Sequence, residues 1–363
     1  MFERPVTNHY EDPVDLIWTR AAKDLGLTIH RSADAFAAYD GKGTLTIADA
    51  SHFDADDCLA QMIFHEICHW LVAGKRGDSL DDWGLSNVDD RDLVYEYAAH
   101  RVQAALAHPF GLRDFMAVTT DWRPYWDGLP ENPLLDDGDP ATPIAREGFY
   151  LAQSDPFKSV LDRSLAATAV IADAVRAMAG EGSLWGLTRP RHRLGALLSN
   201  SDQQCGTCAW AIRKPKAKSM VSETSDSKPE DKQFRFSCRQ HKEPGKAAPA
   251  VQPDEQACER WESRFDEQEC GSCGACCREG FDVLTVTRRD PFRTLHPELV
   301  QLRDDGQLCV PRPNGVCVAL EGCGSKESPY RCQHYETRPK NCGDFEVAGD
   351  ACLIARRRVG LTR

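Results

Sequence analysis

The chain has 363 residues and sixteen cysteines, and fourteen of those cysteines fall between Cys205 and Cys352, with only Cys58 and Cys68 ahead of residue 200. A half-chain this crowded with thiols must bridge them as cystines or gather them on cations, and the redox compartment decides which. The opening stretch MFERPVTNHYEDP has acids and no apolar h-region, so no export signal is expected. The expectation is a cytoplasmic, reducing setting with metal thiolates in place of a disulfide scaffold. No run approaches the roughly 18 apolar residues of a membrane span. The net charge of −12 argues against a nucleic-acid coat or other nucleic-acid partner. Hydrophobic residues at 41% suffice for at least one real core.

The pattern along the chain predicts an α+β multidomain protein. Its first part is α-rich and zincin-like with a small sheet, and irregular, metal-stabilised Cys-rich modules follow. Helices are expected at 14–25, 57–73, 92–107 and 157–180, and β-like segments at 26–30 and 43–49. Residues 78–92 read as an Asp-rich loop, 121–145 as irregular Pro/Gly/Asp-rich chain, and 213–233 and 242–255 as polar linkers. The implied domains are 1–200, an HExxH metal-dependent domain; 201–262, a four-cysteine zinc-binding linker module; and 263–363, a CxxCxxCC chelating domain.

His65-Glu66-Ile67-Cys68-His69 is an HExxH motif. Residues four apart lie one turn apart on the same helix face, so both imidazoles can reach one ion, with Glu66 beside them as general base. Leu59, Ile63, Ile67 and Leu71 form an apolar stripe. Ile67 lies about 160° around the helix from each histidine, so core and site do not compete. Glu96 or His100 on the next helix can supply a third ligand, with His100 the weaker candidate as a surface or satisfied core histidine. Two histidines and a carboxylate suit a zinc hydrolase and equally a ferrous oxygenase. Cys68 reads as a small buried hydrophobe.

Cys205-x-x-Cys208, Cys238 and Cys258 form a four-thiol zinc set in which His241 can replace one cysteine. Cys270, Cys273, Cys276 and Cys277 pack into eight residues, and Cys317, Cys332, Cys342 and Cys352 follow. Adjacent Cys276 and Cys277 cannot easily face one ion. Eight thiolates satisfy two tetrahedral ions or hold an iron–sulfur cluster. Cys309 and Cys323 fall outside this pattern.

Two families are similar. HEICHWLVAGKRGDSLDDWG, with Glu96 seven residues before Gln103-Ala104, resembles the elongation factor P hydroxylase family over about residues 43–110. The matching positions are His65, Glu66, His69, Trp70, Ala73, Gly74, Asp82, Trp83 and Gly84. That resemblance implies His65, His69 and Glu96 as ligands of Fe(II) or zinc, Glu66 as an acid–base group, and a protein substrate such as a translation factor. The segment with Cys270, Cys273, Cys276 and Cys277, then CVAL from Cys317, then CQHYETRPKNCGDFEVAGDACLIAR from Cys332, resembles the zinc- or iron-chelating CxxCxxCC (YkgJ-type) cysteine-cluster family. It implies chelation of zinc or iron without naming a reaction. The combined expectation is a non-haem iron hydroxylase-like domain fused to a metal-chelating cysteine cluster. A zinc metallohydrolase or peptidase, and a non-catalytic chelating or iron–sulfur redox protein, stand as alternatives.

Overall fold

The computed structural model describes residues 7–86, 89–118, 122–215, 234–278 and 280–362. The expected linker at 213–233 therefore lies outside the described residues beyond 215. The chain divides into two compact units, Met1–Leu198 and Ser199–Arg363. Helices and small sheets together make it a mixed α+β chain. No helix among the described residues is long and apolar enough to cross a membrane.

In the first unit, α1 (Pro13–Asp24) begins where the Asp12 carboxylate accepts from the Val14 and Asp15 N–H groups, which otherwise have no partner inside the helix. A three-stranded sheet follows, from β1 (Thr28–Ser32), β2 (Ala37–Tyr39) and β3 (Thr44–Ala48). β3 is central, parallel to β1 with Thr28 opposite Thr44, and antiparallel to β2 with Ala37 opposite Ile47. Leu45 and Ile47 alternate with half-buried threonines and point into the core.

Helix α2 (Leu59–Ala73) carries the HExxH residues and ends at Gly74, whose φ of 64° falls in the left-handed region. Ile63, Ile67 and Leu71 on its apolar stripe are fully buried. It packs against α1 and α3 (Leu93–Ala107), and beyond the short α4 (Arg123–Asp127) it meets α5 (Ala141–Ala152). The α2–α5 crossing is close: a Cβ on Gly148 would sit 3.0 Å from Val72 Cγ1 and 3.3 Å from the Leu71 carbonyl. Helix α6 (Phe157–Val175) completes the core, with the Trp18 indole donating to Thr168 Oγ1 at 3.1 Å and its ring 4.6 Å from Phe64.

The expectation of irregular chain over 121–145 needs correction. α4 and the start of α5 lie there, because Pro124 and Pro143 sit in first turns, where a missing N–H breaks no intrahelical bond. The intervening loop is tied to α3 by buried Arg101. Its guanidinium meets Asp137 at 2.8 Å, Asp139 at 2.9 Å, the Tyr125 hydroxyl at 2.7 Å and the Pro133 carbonyl at 2.8 Å.

The second unit is built from smaller pieces. β4 (Ala211–Pro215), β5 (Phe234–Cys238) and β6 (Ala250–Val251) form one antiparallel sheet. After the one-turn α7 (Cys270–Cys273) come β7 (Leu284–Val286), α8 (Phe292–Leu295), β8 (Gln301–Leu302) and β9 (Leu308–Val310), sheeted in the order β7-β9-β8. A two-residue ribbon of β10 (Leu320–Glu321) and β11 (Arg331–Cys332), the one-turn α9 (Lys340–Gly343) and α10 (Asp350–Arg358) close the unit. Leu353 of α10 packs beside Cys208 and Trp210, joining the end of this unit to its beginning.

Candidate metal centres

Helix α2 presents His65 and His69 on one face, and α3 crosses that face with Glu96. The two Nε2 atoms are 3.0 Å apart. Glu96 Oε1 lies 3.3 Å from His65 Nε2, and Oε2 lies 3.2 Å from His69 Nε2. Donors about 2.1 Å from a shared tetrahedral ion stand roughly 3.4 Å from one another, so this donor set fits a metal ion.

A second layer of side chains orients the donors. His65 Nδ1 is 2.9 Å from Gln103 Oε1, and the Gln103 amide nitrogen donates to the Met116 carbonyl at 2.7 Å. The buried Gln103 thus offers only its oxygen, so His65 carries its proton on Nδ1 and keeps the Nε2 lone pair for a ligand. His100 Nε2 lies 2.8 Å from Glu96 Oε1. A carboxylate only accepts, so Nε2–H donates. His100 is fully buried and its Nδ1 has no hydrogen-bond partner. It is therefore neither a surface residue nor a fully satisfied core one.

The electrostatics follow from this packing. Burial acts to raise the Glu96 carboxyl, but the His69 charge and the hydrogen bond from His100, with the His65 and His69 rings close by, hold it well below the usual carboxylate range. Burial acts to lower His69, and the Glu96 carboxylate overrides it, pushing the imidazole up to about 9. For His100 burial prevails over its hydrogen bond to Glu96, and the ring is pulled down to about 4.

Glu66 points to the same space. The ligand atoms of His65, Glu66 and His69 lie within 4.8 Å of one another, as do those of His65, Glu96 and His100. The Trp83 indole N–H donates to Glu66 Oε2 at 3.4 Å. That indole is fixed by stacking 3.6 Å from Tyr39 and 5.1 Å from Trp70. Its backbone is unusual: Asp82, Trp83 and Gly84 have φ of 48°, 59° and 77° in succession. The Tyr39 N–H donates to Asp82 Oδ1 at 2.9 Å and holds this turn in place. A cavity of about 460 Å³ opens over the four residues, with Asp82, Asp89, Asp90 and Asp92 among its lining. The motif block places Trp83 and Gln103 in the sequence without disclosing the contact of Trp83 with Glu66 or that of Gln103 with His65.

In the second unit Cys205 and Cys208 flank a single 3-10 turn, with the Cys208 N–H donating to the Cys205 carbonyl at 3.2 Å. Cys238 ends β5 opposite Ala211. Cys258 Sγ lies 3.6 Å from His241 Nε2. Burial, and then the neighbouring Glu255 and the other three thiols, push Cys205 up to about 12. The four thiols and His241 thus occupy one neighbourhood.

Cys270, Cys273, Cys276, Cys277, Cys317, Cys332, Cys342 and Cys352 all line a single cavity of about 630 Å³. At Gly274, φ is 56° and a Cβ would lie 2.6 Å from the Tyr330 ring, so the turn between Cys273 and Cys276 needs glycine. Cys276 and Cys277 sulfurs are 3.9 Å apart. That hydrogen bond lowers Cys276 to about 7 and raises Cys277. Cys309 is buried in β9 and Cys323 is exposed; neither lines this cavity.

Compared with protein-family models, curated proteins and solved structures, the chain has no match.

Proposed function

We propose that this is a metalloprotein whose first unit is a metal-dependent enzyme and whose second unit holds metal on thiolates. The observation that carries the reading is the approach of His65 Nε2 and His69 Nε2 to 3.0 Å, each within 3.3 Å of a Glu96 oxygen. His65, His69 and Glu96 would hold the ion, and the ion would supply Lewis acidity or, as ferrous iron, dioxygen chemistry. Gln103 keeps His65 in the tautomer that can ligate, and His100 fixes one Glu96 oxygen. The acidic cavity above leaves room for substrate. A two-histidine, one-carboxylate set supports the hydroxylase-like reading, in line with the elongation factor P hydroxylase resemblance. The same resemblance points to a cytoplasmic protein substrate such as a translation factor.

The place of Glu66 favours a second reading, zinc hydrolysis. A carboxylate within 4.8 Å of both imidazoles, held by the Trp83 indole, is positioned to take a proton from an attacking water. The test is to purify the full chain without oxygen, analyse its metals, and add nitric oxide as a probe of open ferrous positions. The hydroxylase-like reading expects iron in the first unit and a high-spin ferrous nitrosyl signal that disappears in His65→Ala. Zinc in that site, with no such signal and with peptide hydrolysis lost in Glu66→Gln, would select the hydrolase. A chain whose metal content is the same in His65→Ala, His69→Ala and wild type would overturn both.

A further inference from the structure

The candidate metal centre of the first unit has oxidisable rings packed against its Glu66 side. The Trp83 indole N–H donates to Glu66 Oε2 at 3.4 Å. Trp83 is buried, and its ring lies parallel to those of Tyr39 and Trp70, at 3.6 Å and 5.1 Å with interplanar angles of 9° and 10°. At Trp70 the stack reaches the outside. Trp70 is half-buried, and its indole N–H donates to a carboxylate oxygen of exposed Asp78 at 2.6 Å. The backbone carbonyl of Asp78 also accepts from the Tyr39 hydroxyl at 2.8 Å and holds that ring in the stack. Beyond Trp70 comes Phe157, edge-on at 4.8 Å, a ring far harder to oxidise.

Apolar packing alone does not call for these ring types. Phenylalanine would fill the same space without an N–H to satisfy, whereas each of the two indoles here has its N–H on a carboxylate. The chain also accepts backbone strain to keep Trp83 in place: Asp82 and Trp83 have φ of 48° and 59°, a region that residues other than glycine seldom adopt. Glu66 and Asp78 stand at the two ends of the indole pair. An indole that gives up an electron becomes a cation, and an adjacent carboxylate stabilises that charge. The cation then sheds its N–H proton to a base in hydrogen-bond contact, and at Trp70 that base is open to solvent. Electrons thus have a contact path inward, and the proton has a short path out.

We propose that Trp83 and Trp70 form an electron relay that discharges one-electron oxidants arising at the first unit's site when no substrate is present, and carries the oxidation to the surface at Asp78. The proposal rests on the ferrous-iron reading of that site, where dioxygen or peroxide is the source of the oxidant. Trp83 gives an electron to the site, and Trp70 refills Trp83. Trp70 passes its indole proton to Asp78, and from there to water, and is left as a neutral radical. A surface reductant of the ascorbate class returns a hydrogen atom to it. The proton consumed at the site enters from solvent through the open cavity. Two such transfers reduce one hydrogen peroxide to two waters. The ligand histidines are thereby spared oxidation.

The test loads the full chain with ferrous iron without oxygen, checks the site by the nitric oxide signal, and adds hydrogen peroxide without a reductant. Freeze-quenched paramagnetic resonance looks for a tryptophan radical, and peptide mapping by mass spectrometry locates the oxidised side chains. Wild type should give the radical and carry oxidation on Trp70, and both should be lost in the zinc-loaded chain and in His65→Ala. Trp83→Phe should keep the nitrosyl signal, lose the oxidation of Trp70 and shift it to His65 and His69. Trp70→Phe leaves Trp83 and Glu66 untouched and so tests the relay even where Trp83→Phe unseats the site. It should strand the oxidation at Trp83, and ascorbate should clear the radical more slowly than in wild type. With the nitrosyl signal intact, Trp70 oxidised equally in Trp83→Phe and wild type, or His65 and His69 oxidised equally in wild type and both variants, would overturn the relay and leave the iron site standing. No nitrosyl signal in wild type, with the same oxidation map in His65→Ala, would overturn the relay and the iron reading together.

Discussion

The two units hold their candidate ligands in opposite ways. In the first, His65, His69 and Glu96 stand on α2 and α3, long helices whose far faces are buried in one continuous core reaching from Val14 to Ala172. The site is a by-product of a fold that apolar burial already stabilises. In the second, the strands are two to five residues long, and the largest apolar cluster counts Cys317 among its own buried members, with Cys277 and Cys332 packed on it. There a candidate ligand is itself part of the core. The comparison teaches that a metal can be an addition to a finished scaffold or part of the scaffold itself.

Chelation is the harshest way to break that contrast. A structural zinc site contributes about 10–16 kcal/mol to folding at neutral pH. Stripping the full chain with a strong chelator should therefore make 199–363 protease-sensitive while far-ultraviolet helix signal from α1–α6 persists. Peptide mapping by mass spectrometry reads both, and a second unit that stays resistant would remove the distinction. Next in size is Arg101→Ala. It leaves Asp137 and Asp139 without their partner and should cost the first unit about 3–5 kcal/mol in urea unfolding. The exposed pair of Arg331 with Glu321 in the second unit should give no measurable change on Arg331→Ala.

Gln103→Leu sharpens the contrast without threatening the fold. Loss of the bond to His65 Nδ1 should weaken metal binding at the imidazole site by about 10–100-fold and leave thiolate-bound metal unchanged, as competition titration would record. The smallest effect is in acid. The Arg101 hydrogen bond holds Asp137 down to about 2, below its ordinary carboxylate value. A depressed carboxyl stabilises the folded state fully above its unfolded pKa of about 4 and loses that contribution as the pH falls toward 2. Thermal melts of wild type should drop more across this interval than those of Asp137→Asn.

Much of this arrangement is local and so can be read from the sequence. The four-residue spacing of His65 and His69, the stripe of Ile63 and Ile67 behind them, and a carboxylate on the following helix are all helix-periodic signals. The strand at 37–39 is too short for alternation to register, and α5 is masked by Pro143. Gln103, His100 and Trp83 acquire their roles only when α3 and the 82–84 turn approach α2, which no spacing rule reports. The same holds for the thiols. Cys342 and Cys352 lie ten residues apart in a single motif, but it is the docking of α9 on β7 and the packing of α10 against Gly280 that bring both to the cavity lined by Cys270 and Cys317.

The most direct test of the whole account is X-ray absorption on the metal-loaded full chain, beside a His65→Ala/His69→Ala variant. Wild type should show nitrogen or oxygen neighbours at about 2.0–2.1 Å together with sulfur at about 2.3 Å, and the variant should lose the first shell and keep the second. A wild-type spectrum with sulfur alone, or a variant whose nitrogen–oxygen shell is undiminished, would contradict it.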